Sequence, residues 1–203
     1  MHAAEIGVTA KDGVVTLTGT VDNYVKKTEA EDATKKVAGV TAVVEKIEVR
    51  FNNSWSKSDN EIADEVVSAL KWNWQVPHEN LKIKVEAGWV TLEGELKWDY
   101  QRVAAKESAA NQPGVKGVSN NITIKAESKD EIEEKEIKSA LGRHWSIKSD
   151  LIKVSVSGTK VTLTGSVDSW YQKEEAERIV WKAPGVWSID NELLVEYDYS
   201  MVD

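Results

Sequence analysis

Cysteine is missing altogether, which excludes disulfides, thiol nucleophiles and cysteine-ligated zinc. That absence fits cytoplasm and periplasm equally. Long apolar runs are missing too. No stretch approaches the ~20 residues that a membrane-spanning helix needs. The opening residues MHAAE carry neither the basic nor the apolar region of a signal peptide. Positive charge is in deficit: 26 Lys and Arg face 34 Asp and Glu, for a formal net charge of −8. Non-specific nucleic-acid binding needs Lys and Arg to displace counterions from phosphates. No nucleic-acid partner is therefore expected, and simple attraction to anionic lipid is weakened.

The groups that carry catalysis are sparse as well. His2, His78 and His144 are the only histidines, and none stands at metal-ligand spacing from another. His78 and His144 read as exposed loop residues. There is no G-x-S-x-G elbow, and no glycine run is followed by G-K-[ST]. Acidic clusters occur at 130–134 and 174–177. Paired carboxylates can act as acid and base. At a helix N-terminal turn, however, the dipole favours them, and opposite an apolar stripe they form a solvated face. A weak divalent-cation site at 130–134 would lack the EF-hand loop pattern. No enzymatic activity, cofactor or metal site is expected.

What is present is repetition. VTLTG at 15–19, VTLEG at 90–94 and VTLTG at 161–165 share one pattern, and AGV at 38–40, PGV at 113–115 and PGV at 184–186 share a second. The glycines of the two motifs stand 20 residues apart in all three copies. Copies two and three are offset by 71 residues and copies one and two by 75. The extra length falls in the linker 50–57, whereas the second linker is only 125–128. The three copies span 1–51, 58–126 and 128–197.

Each copy reads as a module. Capping boxes, Ser58 with Glu61 and Ser128 with Glu131, start an opening helix in copies two and three. Ile62, Val66, Ala69 and Leu70, and Ile132, Ile137, Ala140 and Leu141, recur at helical spacing. A first strand alternates, with Ile6, Val8 and Ala10, Leu81, Ile83 and Val85, or Ile152, Val154 and Val156 inward. Turns at Asp12-Gly13, Ala87-Gly88 and Ser157-Gly158 make hairpins. In the second strand Val90 and Leu92 point inward, and Gly94 reads as its end. A second helix covers roughly 24–37, 100–112 and 170–183, with an alanine-rich stripe. Pro113 and Pro184 cannot continue it. A last strand carries Val43, Ile47 and Val49, Val118, Ile122 and Ile124, or Ile189, Leu193 and Val195.

The expected fold is therefore α+β: three tandem αββαβ modules. Each is a three-stranded mixed sheet with two helices on one face and a right-handed crossover before the last strand. The first module lacks its opening helix. A truncated start is the first expectation. A neighbouring module or a second chain covering that flank, and hence an oligomer, is the alternative.

These motifs resemble the BON domain family of bacterial osmotically inducible and nodulation proteins. The carriers are the G-x-V-T-L-x-G strand (13–19 and 88–94, with Gly158 displaced by one place), and the pairs Val21-Asp22, Leu96-Lys97 and Val167-Asp168. The alanine helix and the x-G-V turn before the last strand complete them. The resemblance implies a bacterial stress protein, in many members exported to the periplasm, that binds phospholipid membranes or other proteins and carries no catalytic motif. The missing export signal leaves a cytoplasmic location open.

Nine tryptophans against one phenylalanine are the unusual feature. Trp74 and Trp145 hold equivalent places and are expected to pack under the opening helix. Trp89, Trp98, Trp170, Tyr171, Trp181 and Trp187 read as surface residues, the candidate binding set. They suit three uses: anchors between modules, contacts at a lipid headgroup interface, or stacking on envelope polysaccharide. The leading function is a binding protein for a membrane surface or an envelope protein. A soluble chaperone-like or ion-sensing stress protein is the alternative.

Overall fold

The computed structural model describes residues 6–51, 57–125 and 132–196. The described chain divides into two compact units. One holds Met1–Gly7, Thr18–Ala30 and Lys46–Lys125, and the other Val8–Leu17, Glu31–Glu45 and Ala126–Asp203.

Module one runs β1 (Ile6–Lys11), β2 (Val14–Val21), α1 (Tyr24–Lys35) and β3 (Ala42–Val49). Module two runs α2 (Asp59–Trp72), β4 (Leu81–Glu86), β5 (Trp89–Leu96), α3 (Asp99–Ala110) and β6 (Gly117–Ile124). Module three runs α4 (Glu134–Gly142), β7 (Ile152–Ser157), β8 (Lys160–Val167), α5 (Trp170–Val180) and β9 (Ser188–Val195). The three sheets have the orders β1-β2-β3, β4-β5-β6 and β7-β8-β9. In modules two and three the hairpin pair is antiparallel and the crossover pair parallel. The expected three-module α+β fold is what the chain forms.

Helix α2 starts as its sequence dictates. Ser58 accepts the Glu61 N–H, and the Glu61 carboxylate accepts the Ser58 N–H at 2.8 Å. The equivalent box at 128–131 lies outside the described residues, and α4 is first described at Glu134. Stripe residues Ile62, Val66 and Leu70 are buried against Val90, Leu92, Ala105 and Ala109, which are all fully enclosed. Each large side chain so enclosed contributes about 1.5–3 kcal/mol. In module three, Ile137, Leu141, Val161, Leu163, Ala176 and Leu193 form the same core.

Three local expectations are corrected. Gly94 does not end its strand, since β5 continues to Leu96. It is glycine because its φ is +144° and a Cβ would collide with the carbonyl oxygen of Asn80, in the 3₁₀ turn ahead of β4. Gly165 meets Leu151 in the same way. The third hairpin turns at 158–159 rather than 157–158. Asp12 and Gly13, like Ala87 and Gly88, both have positive φ, whereas in the third turn only Gly158 does. The first two follow the sign pattern of a type I′ turn and the third that of type II′, which requires glycine at its first central position. The displaced glycine is thus a change of turn type. Finally, Val8 and Ala10 do not point into a covered core. Val8 is 62% exposed, because the described part of module one has no helix over that face.

Candidate binding surface

The tryptophan positions are set by where the opening helices stop. Trp72 is the last residue of α2, and Asn73 is extended, with φ −86° and ψ 102°. That break rotates Trp74 out of the Ile62–Val66–Leu70 stripe, and Val76 takes the buried place instead. In module three Ile147 is buried and Trp145 is not. Trp72, Trp74 and Trp145 are 87%, 89% and 89% exposed, so the expectation that Trp74 and Trp145 pack under the helix is overturned. Lys71 and Arg143 beside them are exposed cations. Sequence reasoning missed all three aromatics as surface groups. The available signal was the apolar residue two places on, Val76 or Ile147.

The six aromatics singled out from the sequence fall into separate environments. Trp89 and Trp98 are 51% and 43% exposed. Trp89 lies over Gly117, where a Cβ would strike its ring. Trp98 precedes α3, where Gln101 Oε1 accepts its backbone N–H at 3.2 Å. Trp170 and Tyr171, half-buried, face the end of α1 within the second compact unit. Lys35 Nζ lies 6.0 Å from the Trp170 ring centre and Lys36 Nζ 5.9 Å from that of Tyr171. Lys35 also pairs with Glu174 at 2.8 Å and Glu31 at 3.0 Å. Burial pulls the Lys35 pKa down, and these two carboxylates more than reverse that, holding it above the usual lysine value. The Gly39 N–H donates to the Asp168 carbonyl at 3.2 Å. Trp181 is half-buried on the core of module three and donates to Glu177 at 3.3 Å. Trp187 is half-buried.

One titratable cluster escaped the sequence. Glu175, in a run read as a solvated face, is only 5% exposed. His144, read as an exposed loop residue, places Nε2 at 2.9 Å from its carboxylate, and Arg178 Nε donates to it at 2.7 Å. His144 Nδ1 meets Ser146 Oγ at 3.0 Å. The signal was that Glu175 aligns with Ala104, a buried alanine. His78, the other histidine read as exposed, is half-buried beside Glu79. Among the described residues no group of three His, Asp or Glu is placed to hold a metal ion, and no helix is long and apolar enough to cross a membrane.

The family model for the BON domain matches three times, at 1–50, 58–126 and 129–197. The chain belongs to the BON domain family. A BON relative, osmotically-inducible protein Y of Escherichia coli (strain K12), is 30% identical over 129 residues, 62% of this chain. The match spans 64% of that protein's length, less than two thirds of it. Two solved structures of CdsD, a structural protein of the Type III secretion system of Chlamydia trachomatis, are similar at 17% and 16% identity. They align over 97% and 94% of this chain and 88% and 90% of theirs, with TM-scores of 0.27 and 0.24.

Glu175 gives the third BON module an acid-sensitive contact. Hydrogen bonds from Arg178 hold its carboxyl below the usual glutamate value of 4.5, against the opposing effect of burial. A carboxylate with a lowered folded pKa contributes stability that is fully present above its unfolded pKa. That stability is lost as the pH falls through the folded value. The melting temperature of the third BON module is therefore expected to drop below about pH 4.5, and the Glu175→Gln chain to show a shallower drop. Thermal melts between about pH 3 and 6 read this, and identical acid slopes would sink it.

Proposed function

We propose that this protein is a non-catalytic BON protein of the osmotic stress response that works at the phospholipid headgroup interface, in the periplasm. The observation that carries the reading is the near-complete exposure of Trp72, Trp74 and Trp145. Indole rings combine an apolar body with a polar N–H, which suits the headgroup layer. Sinking about half of one ring's area is worth about 2 kcal/mol. Lys71 and Arg143 add a local attraction to anionic headgroups that the net charge of −8 otherwise opposes. Weak contacts on separate modules gain from being joined in one chain. Trp89 and Trp98, about half exposed, are further candidates. The family membership and the osmotically inducible relative support the stress assignment and the compartment.

Sedimentation with anionic and with neutral liposomes, read alongside tryptophan emission, tests the proposal. Pelleting with a blue shift is the expected result, stronger on anionic vesicles and partly reversed by salt. Failure to pellet on either vesicle would move the function to protein binding. Trp170 and Tyr171 already show how aromatics of this chain engage lysines of another module.

A further inference from the structure

In module two the opening helix is fastened at two places. Its stripe Ile62, Val66 and Leu70 is buried to 2% exposure or less. Its first-turn carboxylate, Asp59, accepts the N–H groups of Ala87 and Gly88 at 2.8 and 2.9 Å. Module one keeps the receiving half of both fastenings. Its Asp12-Gly13 turn has φ 51° and 78°, against 51° and 83° at Ala87-Gly88, so the same two donors stand in the same backbone conformation. The carbonyl of Gly13 accepts the Thr41 N–H at 2.8 Å, as that of Gly88 accepts the Lys116 N–H at 2.9 Å. Val8, 62% exposed, stands where module two has the half-buried Ile83. Val37, 57% exposed, stands where Gln112 lines a groove with Glu65, Ser68, Ala69 and Trp72. Lys11 and Asp12 stand where module two has Glu86 and Ala87, which leaves the turn one charge less negative toward an acidic helix start.

We propose that this face of module one binds a protein helix of the opening type, an amphipathic segment with Asp in its first turn and Ile, Val and Leu spaced as at 62, 66 and 70. The contact is separate from the lipid interface and does not depend on it. A helix of this length is marginal alone in water, so the occupant folds as it binds. The apolar stripe meets Val8 and Val37, and the carboxylate takes the two turn N–H groups.

A labelled synthetic peptide of residues 57–73 is the probe, titrated into the full chain and followed by fluorescence anisotropy. Saturable binding is expected. Asp59→Ala in the peptide should weaken it about tenfold or more, since bonds to an ionised acceptor are the stronger kind. Val8→Asp in the chain should remove most of the binding. Val37→Asp, outside β1, should do the same and guards against misfolding of that strand, with an unchanged melt as the check. Absence of saturable binding overturns the proposal. So does equal affinity for the unaltered chain and for both variants, because the peptide is then exchanging with α2 or adhering elsewhere.

Discussion

Changing Gly165 to alanine is expected to unfold the third BON module at ordinary temperature. The new Cβ would run into the carbonyl oxygen of Leu151, and the next atoms in its path are Leu151 C at 3.1 Å and Ile152 Cα at 3.4 Å. All of these are backbone atoms, so no side chain can swing aside. The φ of +117° adds strain of its own, because side-chain-bearing residues avoid that region. Strain and overpacking together cost about 3 kcal/mol or more. A module of this size draws only about 3–5 kcal/mol from its core. Gly158→Ala is the comparison. Its φ is +60° with nothing within 4 Å of the added carbon, so the cost is about 1–2 kcal/mol. Amide exchange across β7, β8 and β9 separates the two cases. Equal loss of protection in both variants would refute the close-approach account.

Replacing Trp72, Trp74 and Trp145 together by alanine is expected to lower the liposome partition coefficient by about a hundredfold or more. The figure follows from about 2 kcal/mol per ring, allowing for incomplete insertion. Each single variant should lose about tenfold. Stability should barely change, since side chains almost 90% exposed hold little of the fold. Trp89→Ala and Trp98→Ala should each cost less. Trp170→Ala should act differently, by removing the ring beneath Lys35 without changing lipid partition. Full binding by the triple variant would return the candidate site to Trp89 and Trp98.

The module architecture was legible because strand alternation and the alanine helix recur three times in one register. The places where reading failed have physical causes. Gly94 looked like a strand end because a glycine after four strand residues usually punctuates. Its true constraint is the Asn80 carbonyl, 14 residues earlier in sequence and beside it in space. Trp74 stands four residues after Leu70, as a continuing helical stripe would place it. The helix stops at Trp72, so that periodicity no longer applies. Glu175 sits in an acidic run, and only its alignment with Ala104 marks it as inward. Its partner His144 is brought to it by packing of the loop after α4, which no local pattern encodes. For Trp170 and Tyr171, the sequence offered contact between modules as one of three uses, and Lys35 and Lys36 of module one supply it.

The strand order also bears on how the protein behaves at high concentration. With β5 and β8 central, the first and last strands of each sheet are left with open hydrogen-bonding edges. Such an edge can recruit a strand from another molecule and start an aggregate. Here β4 and β7 are six residues long against eight for their central partners. On β4 the outward positions are Lys82, Lys84 and Glu86, so an antiparallel copy centred on residue 83 would set Lys82 against Lys84. On β6 the outward positions Ser119, Asn121 and Thr123 give a stray strand no apolar face to grip. A cell losing water concentrates all its proteins at once, and module two meets that condition with edges that repel or fail to hold their own kind.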